Sequence, residues 1–242
     1  MSVAPKVLFI YNDPTAPEAV LGDVFAEHGF DIDTLNVVPA DQVDAPAAVS
    51  TAFPDPTRYD VIVPLGSRWS VYDDELRAGW VGTQMAMVRD AVDAGVGVLG
   101  VCFGGQLVAQ ALGGTVRKAP STELGWIEID STATDLALGG LWFEWHSDQF
   151  SIPPGATELA RTAHSSQAFV QGTALGLQFH PELDARLLQM WIDGDTGDLE
   201  RLGLTPDVLQ ARTRIEQDGA ALRLRTLVAG FLDRVARPTC QA

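Results

Sequence analysis

Apolar residues fall into two rhythms along the first half of the chain. Val7-Leu-Phe-Ile-Tyr11 is a short β-branched and aromatic run, and Pro17 to His28 is amphipathic at helical spacing and ends at Gly29. Ile32 to Val38 is again strand-like. After a loop rich in Ala, Pro and Asp, Asp60 to Leu65 predicts a third strand, Gly79 to Ala94 a helix, and Val96 to Leu99 a buried strand. Leu107, Val108, Ala111 and Leu112 then recur at helical spacing, with Gly113-Gly114 as a stop. Strands separated by helices predict an α/β fold with a mainly parallel central sheet flanked by helices, in which ligands gather at the carboxyl ends of the strands.

The rhythm changes after Gly114. Thr115 to Lys118, Trp126 to Ile129, Trp142 to His146, Glu158 to Ala163, Ala168 to Val170 and Ala174 to Phe179 are short strand-like runs broken by Gly, Pro and Ser. They predict an extension of the sheet with some antiparallel strands. Helical spacing returns at Asp184 to Ile192 and over roughly Pro206 to Val235, joined by a turn at Asp193 to Asp198. The last helices carry mixed charges and read as solvated packing helices.

Composition narrows the class. The chain of 242 residues is 46% hydrophobic and 20% charged, which fits a globular protein with one substantial core. No apolar run approaches the roughly 20 residues that span a bilayer, and Met1 to Lys6 lacks the long apolar region of a signal peptide. A cytoplasmic location is the default expectation. A net charge of −16 argues against nucleic acid or an anionic membrane as partner. The cysteines, Cys102 and Cys240, make no disulfide framework and fit a reducing compartment.

Cys102 stands in Gly100-Val-Cys-Phe-Gly-Gly-Gln106, between a buried strand and a helix. Such a turn lifts a thiol out of the sheet, and the helix end favours thiolate over thiol and offers backbone donors to an oxyanion. A nucleophile needs a base and the base an orienting partner. Of the four histidines, His28 sits at a helix end as a capping residue and His164 has no supporting pattern. His180 leaves a strand, Leu175 to Phe179, and is followed by Pro181 and Glu182, so a carboxylate can hold its imidazole in the useful tautomer. His146, in Trp145-His-Ser-Asp148, lacks that setting and reads as a pocket-wall residue; with Asp148 it makes a poor metal site, since a third ligand is missing.

Gly100-Val-Cys-Phe-Gly-Gly-Gln106 together with Gln178-Phe-His-Pro-Glu182 resembles the class I, or triad-type, glutamine amidotransferase family, above all its stand-alone members similar to the amidotransferase domain of GMP synthase. Ser70-Val-Tyr-Asp-Asp74, Glu123-Leu-Gly-Trp126 and Trp145-His-Ser-Asp-Gln-Phe150 add to the likeness, which runs from about Val7 to Glu182. The resemblance implies a flavodoxin-like fold, with residues 1–192 as the amidotransferase domain and 193–242 as a helical extension packed on it. It implies Cys102, His180 and Glu182 as the catalytic triad, and the N–H groups of Phe103 and Ser67 as the oxyanion hole. Gln106, Gly66, His146, Ser147 and Asp148 would line the glutamine pocket, with no metal and no cofactor. Hydrolysis would pass through a γ-glutamyl thioester on Cys102.

One departure stands out. Many members carry two glycines and a proline after the third strand, whereas this chain reads Leu65-Gly-Ser-Arg-Trp69. Serine adopts positive φ less readily than glycine, so the oxyanion loop is expected to wait for a partner or substrate to orient it. No Walker-type glycine loop is present, so ammonia would pass to a separate acceptor-activating protein or be released. Two other readings use the same residues: a hydrolase of γ-glutamyl peptides, and a catalytically silent binding module.

Overall fold

The structure is a computed structural model that describes residues 4–234; Cys240 lies outside the described residues. Its strands are β1 (Lys6–Tyr11), β2 (Asp31–Asn36), β3 (Val61–Pro64), β4 (Gly97–Val101), β5 (Val116–Ser131), β6 (Gly140–Phe150), β7 (Thr157–Arg161), β8 (Ser166–Gln171) and β9 (Ala174–Leu177). Its helices are α1 (Ala19–Glu27), α2 (Asp74–Ala78), α3 (Trp80–Asp93), α4 (Phe103–Ala111), α5 (Ala185–Asp193), α6 (Asp198–Leu202) and α7 (Pro206–Arg234). The sheet order is β2-β1-β3-β4-β9-β8-β7-β5-β6. The first five strands in that order run parallel, and β8, β7, β5 and β6 continue the sheet antiparallel. The expected α/β architecture is thus the observed one.

Two-residue alternation sorts the side chains of the parallel strands onto two faces. Val7, Phe9, Val61, Val63, Leu99, Val101, Leu175 and Leu177 point to one layer, where α1 and α7 supply Phe25, Leu224, Leu227 and Phe231. Leu8, Ile10, Ile62 and Val98 point to the other, against Val81 and Val88 of α3 and Leu107 and Val108 of α4. Each such fully buried side chain contributes roughly 1.5–3 kcal/mol relative to exposure. The second half of α7 is therefore core. Its first half keeps Val208 and Ile215 in solvent.

Several boundaries differ from the sequence reading, three of them with a clear physical reason. The expected pair of strands at 115–118 and 126–129 is one strand, β5, whose pairing with β6 is interrupted between Lys118 and Glu123. Pro120 sits in that interruption, where its missing N–H costs no ladder bond. The strand expected over 32–38 ends at Asn36, with Val37 and Val38 turning in as buried anchors. The turn at 193–198 leads directly into α6, because Asp195 accepts hydrogen bonds from the N–H groups of Gly197 and Asp198 at 3.2 and 3.0 Å.

The position of α4 is set by contact with backbone. A Cβ on Gly104 would lie 1.8 Å from the Pro64 carbonyl oxygen, and one on Gly105 2.1 Å from that of Leu177. Only glycine lets the first turn of α4 press against the ends of β3 and β9. Gly104→Ala is expected to lower stability by roughly 1–3 kcal/mol or more through overpacking, measured as a shift in the denaturation midpoint; a wild-type midpoint would contradict this account of the helix position.

Candidate active site

The carboxyl ends of β1, β3, β4 and β9 deliver four groups to one pocket. Cys102 follows β4 and caps α4 with φ +51° and ψ −110°, one of three non-glycine residues with positive φ among the described residues. Its N–H donates to the Leu177 carbonyl at 2.9 Å and its carbonyl accepts from the Gln106 N–H at 2.9 Å, which holds the strained turn in register. The Gln178 amide points at Sγ from 3.8 Å. His180 lies just past β9, its N–H donating to the Phe143 carbonyl at 2.9 Å. Its Nδ1 meets Glu182 Oε1 at 2.8 Å, and Trp191 of α5 packs edge-on against the ring at 4.6 Å between centroids. Burial alone would lower the His180 pKa, but the Glu182 carboxylate and Cys102 raise it well above its ordinary value.

The loop after β3 forms the opposite wall. A Cβ on Gly66 would lie 3.4 Å from His180 Cε1 and 3.9 Å from Cys102 Cβ, so this residue faces both. Neither Gly66 nor Ser67 has positive φ. Ser67 therefore carries no positive-φ strain. Ser67 Oγ instead accepts from the Trp69 N–H at 3.2 Å. The loop is anchored from β1: Asn12 donates to the Leu65 carbonyl at 2.9 Å, and buried Asp13 takes Arg68 Nε at 2.6 Å and Nη2 at 3.2 Å. Burial opposes ionisation of Asp13, but Arg68 and Thr15 outweigh it and hold its pKa below the usual value.

The remaining wall comes from β6 and α4. Gln106 is buried, and its amide nitrogen lies 3.3 Å from both the Asp148 carbonyl and Gln178 Oε1. Asp148 accepts from Ser70 Oγ at 2.6 Å and the Tyr72 hydroxyl at 3.0 Å, while Ser147 Oγ pairs with Thr122 Oγ1 at 2.8 Å. His146 Nδ1 lies 2.8 Å from the Asp148 carbonyl, while its buried Nε2 makes no hydrogen bond but lies at ion-pair distance, 3.3 Å, from a carboxylate oxygen of each of Glu123 and Glu144. Burial opposes its protonation, but the two carboxylates push its pKa up to about 10. The carboxylates themselves differ. Glu123 is held below its ordinary value despite burial because His146 lies beside it and Ser165 donates to it, whereas burial pushes the fully enclosed Glu144 up. The described residues contain no group of three or more His, Cys, Asp or Glu arranged to hold a metal ion.

A family model described as glutamine amidotransferase class-I matches residues 35–190. The chain belongs to this family. Over 156 residues this amidotransferase is 35% identical to a glutamine-hydrolysing GMP synthase of Aeropyrum pernix, a match covering 61% of this chain and 28% of that protein. It is 31% identical over 135 residues to a glutamine-hydrolysing GMP synthase subunit of Sulfolobus acidocaldarius, covering 52% of this chain and 68% of that relative. The chain thus spans little more than a quarter of the length of the Aeropyrum relative. Glutamine amidotransferase structures from Thermotoga maritima and Methylobacillus flagellatus share its fold at a TM-score of 0.81 each and 24% identity, covering 98% and 100% of this chain and 100% and 99% of theirs.

In this amidotransferase Gly66, Ser67, Cys102, Phe103, Gln106, His146, Ser147, Asp148 and His180 all line one cavity, and Glu182 stands buried behind His180. His164 is exposed and does not line it. Sequence reasoning missed Asn12, Asp13 and Trp191. No local pattern marks them, because each acts across the fold: Trp191, for example, donates from Nε1 to the Thr15 carbonyl at 2.8 Å, from 176 positions away. The described helices include none long and apolar enough to cross a membrane.

The buried His146 cluster makes a stability prediction. Its folded pKa of about 10 lies above the unfolded value of 6.5, so its contribution is complete below pH 6.5 and is lost as pH rises through 10. His146→Gln is expected to cost about 3–5 kcal/mol at pH 6, by leaving the carboxylates unpaired. The gap to wild type should narrow toward pH 10; denaturant titrations at both values test this, and a gap independent of pH would refute a charged His146.

Proposed function

We propose that Cys102, His180 and Glu182 are the catalytic triad and that the protein hydrolyses the side-chain amide of glutamine. The observation that carries this reading is the meeting, in one pocket of a class I amidotransferase, of a cysteine on a strained strand-to-helix turn with a histidine held by Glu182 at 2.8 Å. Cys102 Sγ attacks the amide carbon, and the oxyanion is held by the N–H groups of Phe103 and Ser67. Collapse breaks the C–N bond as His180 gives its proton to the leaving nitrogen, leaving a γ-glutamyl thioester and ammonia. His180 then takes a proton from water, which hydrolyses the thioester to glutamate.

Gln106, Gly66, His146, Ser147 and Asp148 form the acyl side of the pocket. Ser147 and Asp148 are the groups available to the α-amino and α-carboxylate ends, while Gln106 and His146 keep that wall rigid through their own hydrogen bonds. Residues 1–192 carry this chemistry. Residues 193–234 pack on them, Leu224, Leu227 and Phe231 entering the core that also holds Val101 and Leu177. By analogy with the Sulfolobus relative, itself one subunit of its enzyme, ammonia passes to a separate acceptor-activating protein. The chemistry requires no metal or cofactor.

Cys102→Ala is expected to abolish glutamate release and labelling by a covalent glutamine analogue. Glu182→Gln should lower kcat by on the order of 10²–10⁴-fold, through loss of the useful His180 tautomer. Ammonia release assays measure both, and retained activity in Cys102→Ala would end the triad reading.

A further inference from the structure

The three most exposed large apolar side chains among the described residues all belong to α7: Val208, Ile215 and Leu222 are 65%, 73% and 68% exposed. They recur every seventh position, so they drift by only about 20° per step and form one stripe roughly 21 Å long at about 1.5 Å per residue. The stripe lies opposite the face by which α7 meets the rest of the molecule, where Leu209, Thr213, Ala220, Leu224 and Leu227 are buried. An apolar seam of this period is one helix's half of a two-helix contact.

A glycine on the same face points to the close approach of another helix. Gly219 lies inside α7, one turn from both Ile215 and Leu222, and its φ is not positive. Glycine weakens a helix interior, and packing within the chain does not require it here. A Cβ at this position would meet only Arg223 Nη1, at 3.5 Å, an ordinary contact. Gly230 of the same helix differs, since a Cβ there would lie 2.5 Å from the Asp135 carbonyl oxygen. Gly219 and Ala211 stand four positions either side of Ile215 and leave the outer face low on both sides of it, which lets two helix axes come close.

The charges beside the stripe select the occupant. At about 100° per residue, Arg212 and Glu216 fall on one flank of Ile215, and Asp207, Arg214, Asp218 and Arg225 on the other. In an antiparallel pair related by a two-fold axis at Ile215, each flank meets the same flank of the copy with its direction reversed. Arg212 then faces the partner's Glu216, Arg214 the partner's Asp218, and Asp207 the partner's Arg225, so opposite charges meet at every step, while Val208 packs on the partner's Leu222. A parallel pair would set Arg212 against the partner's Arg214 and Glu216 against the partner's Asp218, like charges both times. Within the chain Arg212 reaches Glu216 at 2.7 Å and Arg225 reaches Glu27 at 2.8 Å, whereas Arg214 and Asp218 make no ion pair among the described residues.

We propose that α7 is a self-association surface, on which a second copy of this chain lays its own α7 antiparallel along the 208–222 stripe. The same patch serves both subunits, so the contact closes at a dimer. With three large apolar side chains from each protomer it belongs at the small end of specific interfaces, and the dimer is expected to form with a Kd of roughly 1–10 μM.

Sedimentation equilibrium of the full chain over roughly 0.5–100 μM tests this, wild type passing from monomer to dimer within the range. Ile215→Glu, which sets two carboxylates against each other on the axis, should raise Kd by about tenfold or more, as should Arg214→Asp; combining Arg214→Asp with Asp218→Arg should restore association. Cysteine substitutions read the register, in a Cys240→Ser background that leaves only the buried Cys102. Under mild oxidation Ile215→Cys should cross-link to itself, whereas Val208→Cys should cross-link only when mixed with Leu222→Cys. These side chains are exposed in the monomer, so an unchanged denaturation midpoint at the lowest concentration serves as the folding control. Should Ile215→Glu fail it, the charge exchange and the cross-links decide. A monomer across the whole range, a dimer indifferent to Ile215→Glu and to the charge exchange, or self-cross-linking of Val208→Cys overturns the proposal.

Discussion

Everything at this site depends on the close approach of α4 to the ends of β3 and β9. A cysteine at φ +51° costs on the order of 1–3 kcal/mol, and it persists only because the surroundings fix both sides of the turn. The Cys102 N–H is bound to Leu177, the helix behind it is pressed against Pro64 and Leu177 at distances only glycine permits, and Phe103 is buried against Trp80. Relaxing the turn would require lifting the first turn of α4 off the sheet. Its strain is therefore held by packing over two strands, and the thiol is presented at a fixed height above the sheet edge.

The second half of the site is cross-linked through three residues after β1. Asn12 binds the Leu65 carbonyl, Asp13 clamps Arg68, and the Thr15 carbonyl receives Trp191, whose ring covers His180. The loop after β3 and His180 after β9 thus share one support, although neither is bonded to the other. The loop is held by side chains at its two ends and needs no positive φ in the middle.

Much of this was legible in local patterns. Strand-turn-helix around Cys102 and strand-His-Pro-Glu around His180 are short-range signals, and the alternation of Val7 to Ile10 across two layers follows directly from strand geometry. What local pattern could not carry was pairing at a distance. The runs at 115–118 and 126–129 read as two strands because a sequence does not display the bulge that joins them. The role of α7 was understated for a related reason: its mixed charges signal solvent, yet Leu224, Leu227 and Phe231 seat its second half in the core. Asn12, Asp13 and Trp191 were silent because their partners lie 53 to 176 positions away.

The electrostatic arrangement follows from the same geometry. The chain carries a net charge of −16, an unpromising background for a reaction that develops negative charge on a substrate oxygen. Two imidazoles correct it locally. His180 and His146 both have raised pKa values, each is influenced by Cys102, and each has its carboxylates behind or beside it, Glu182 for the first and Glu123 with Glu144 for the second. The positive charge is thereby held near the reacting atoms by groups that are buried and already oriented, so little reorganisation is needed as charge moves. On the triad reading proposed above, the imidazole that exchanges protons is His180, while His146, enclosed by Glu123, Glu144 and the Asp148 carbonyl, contributes to the local field. The two histidines are alike in charge and divided in task by what holds their nitrogens.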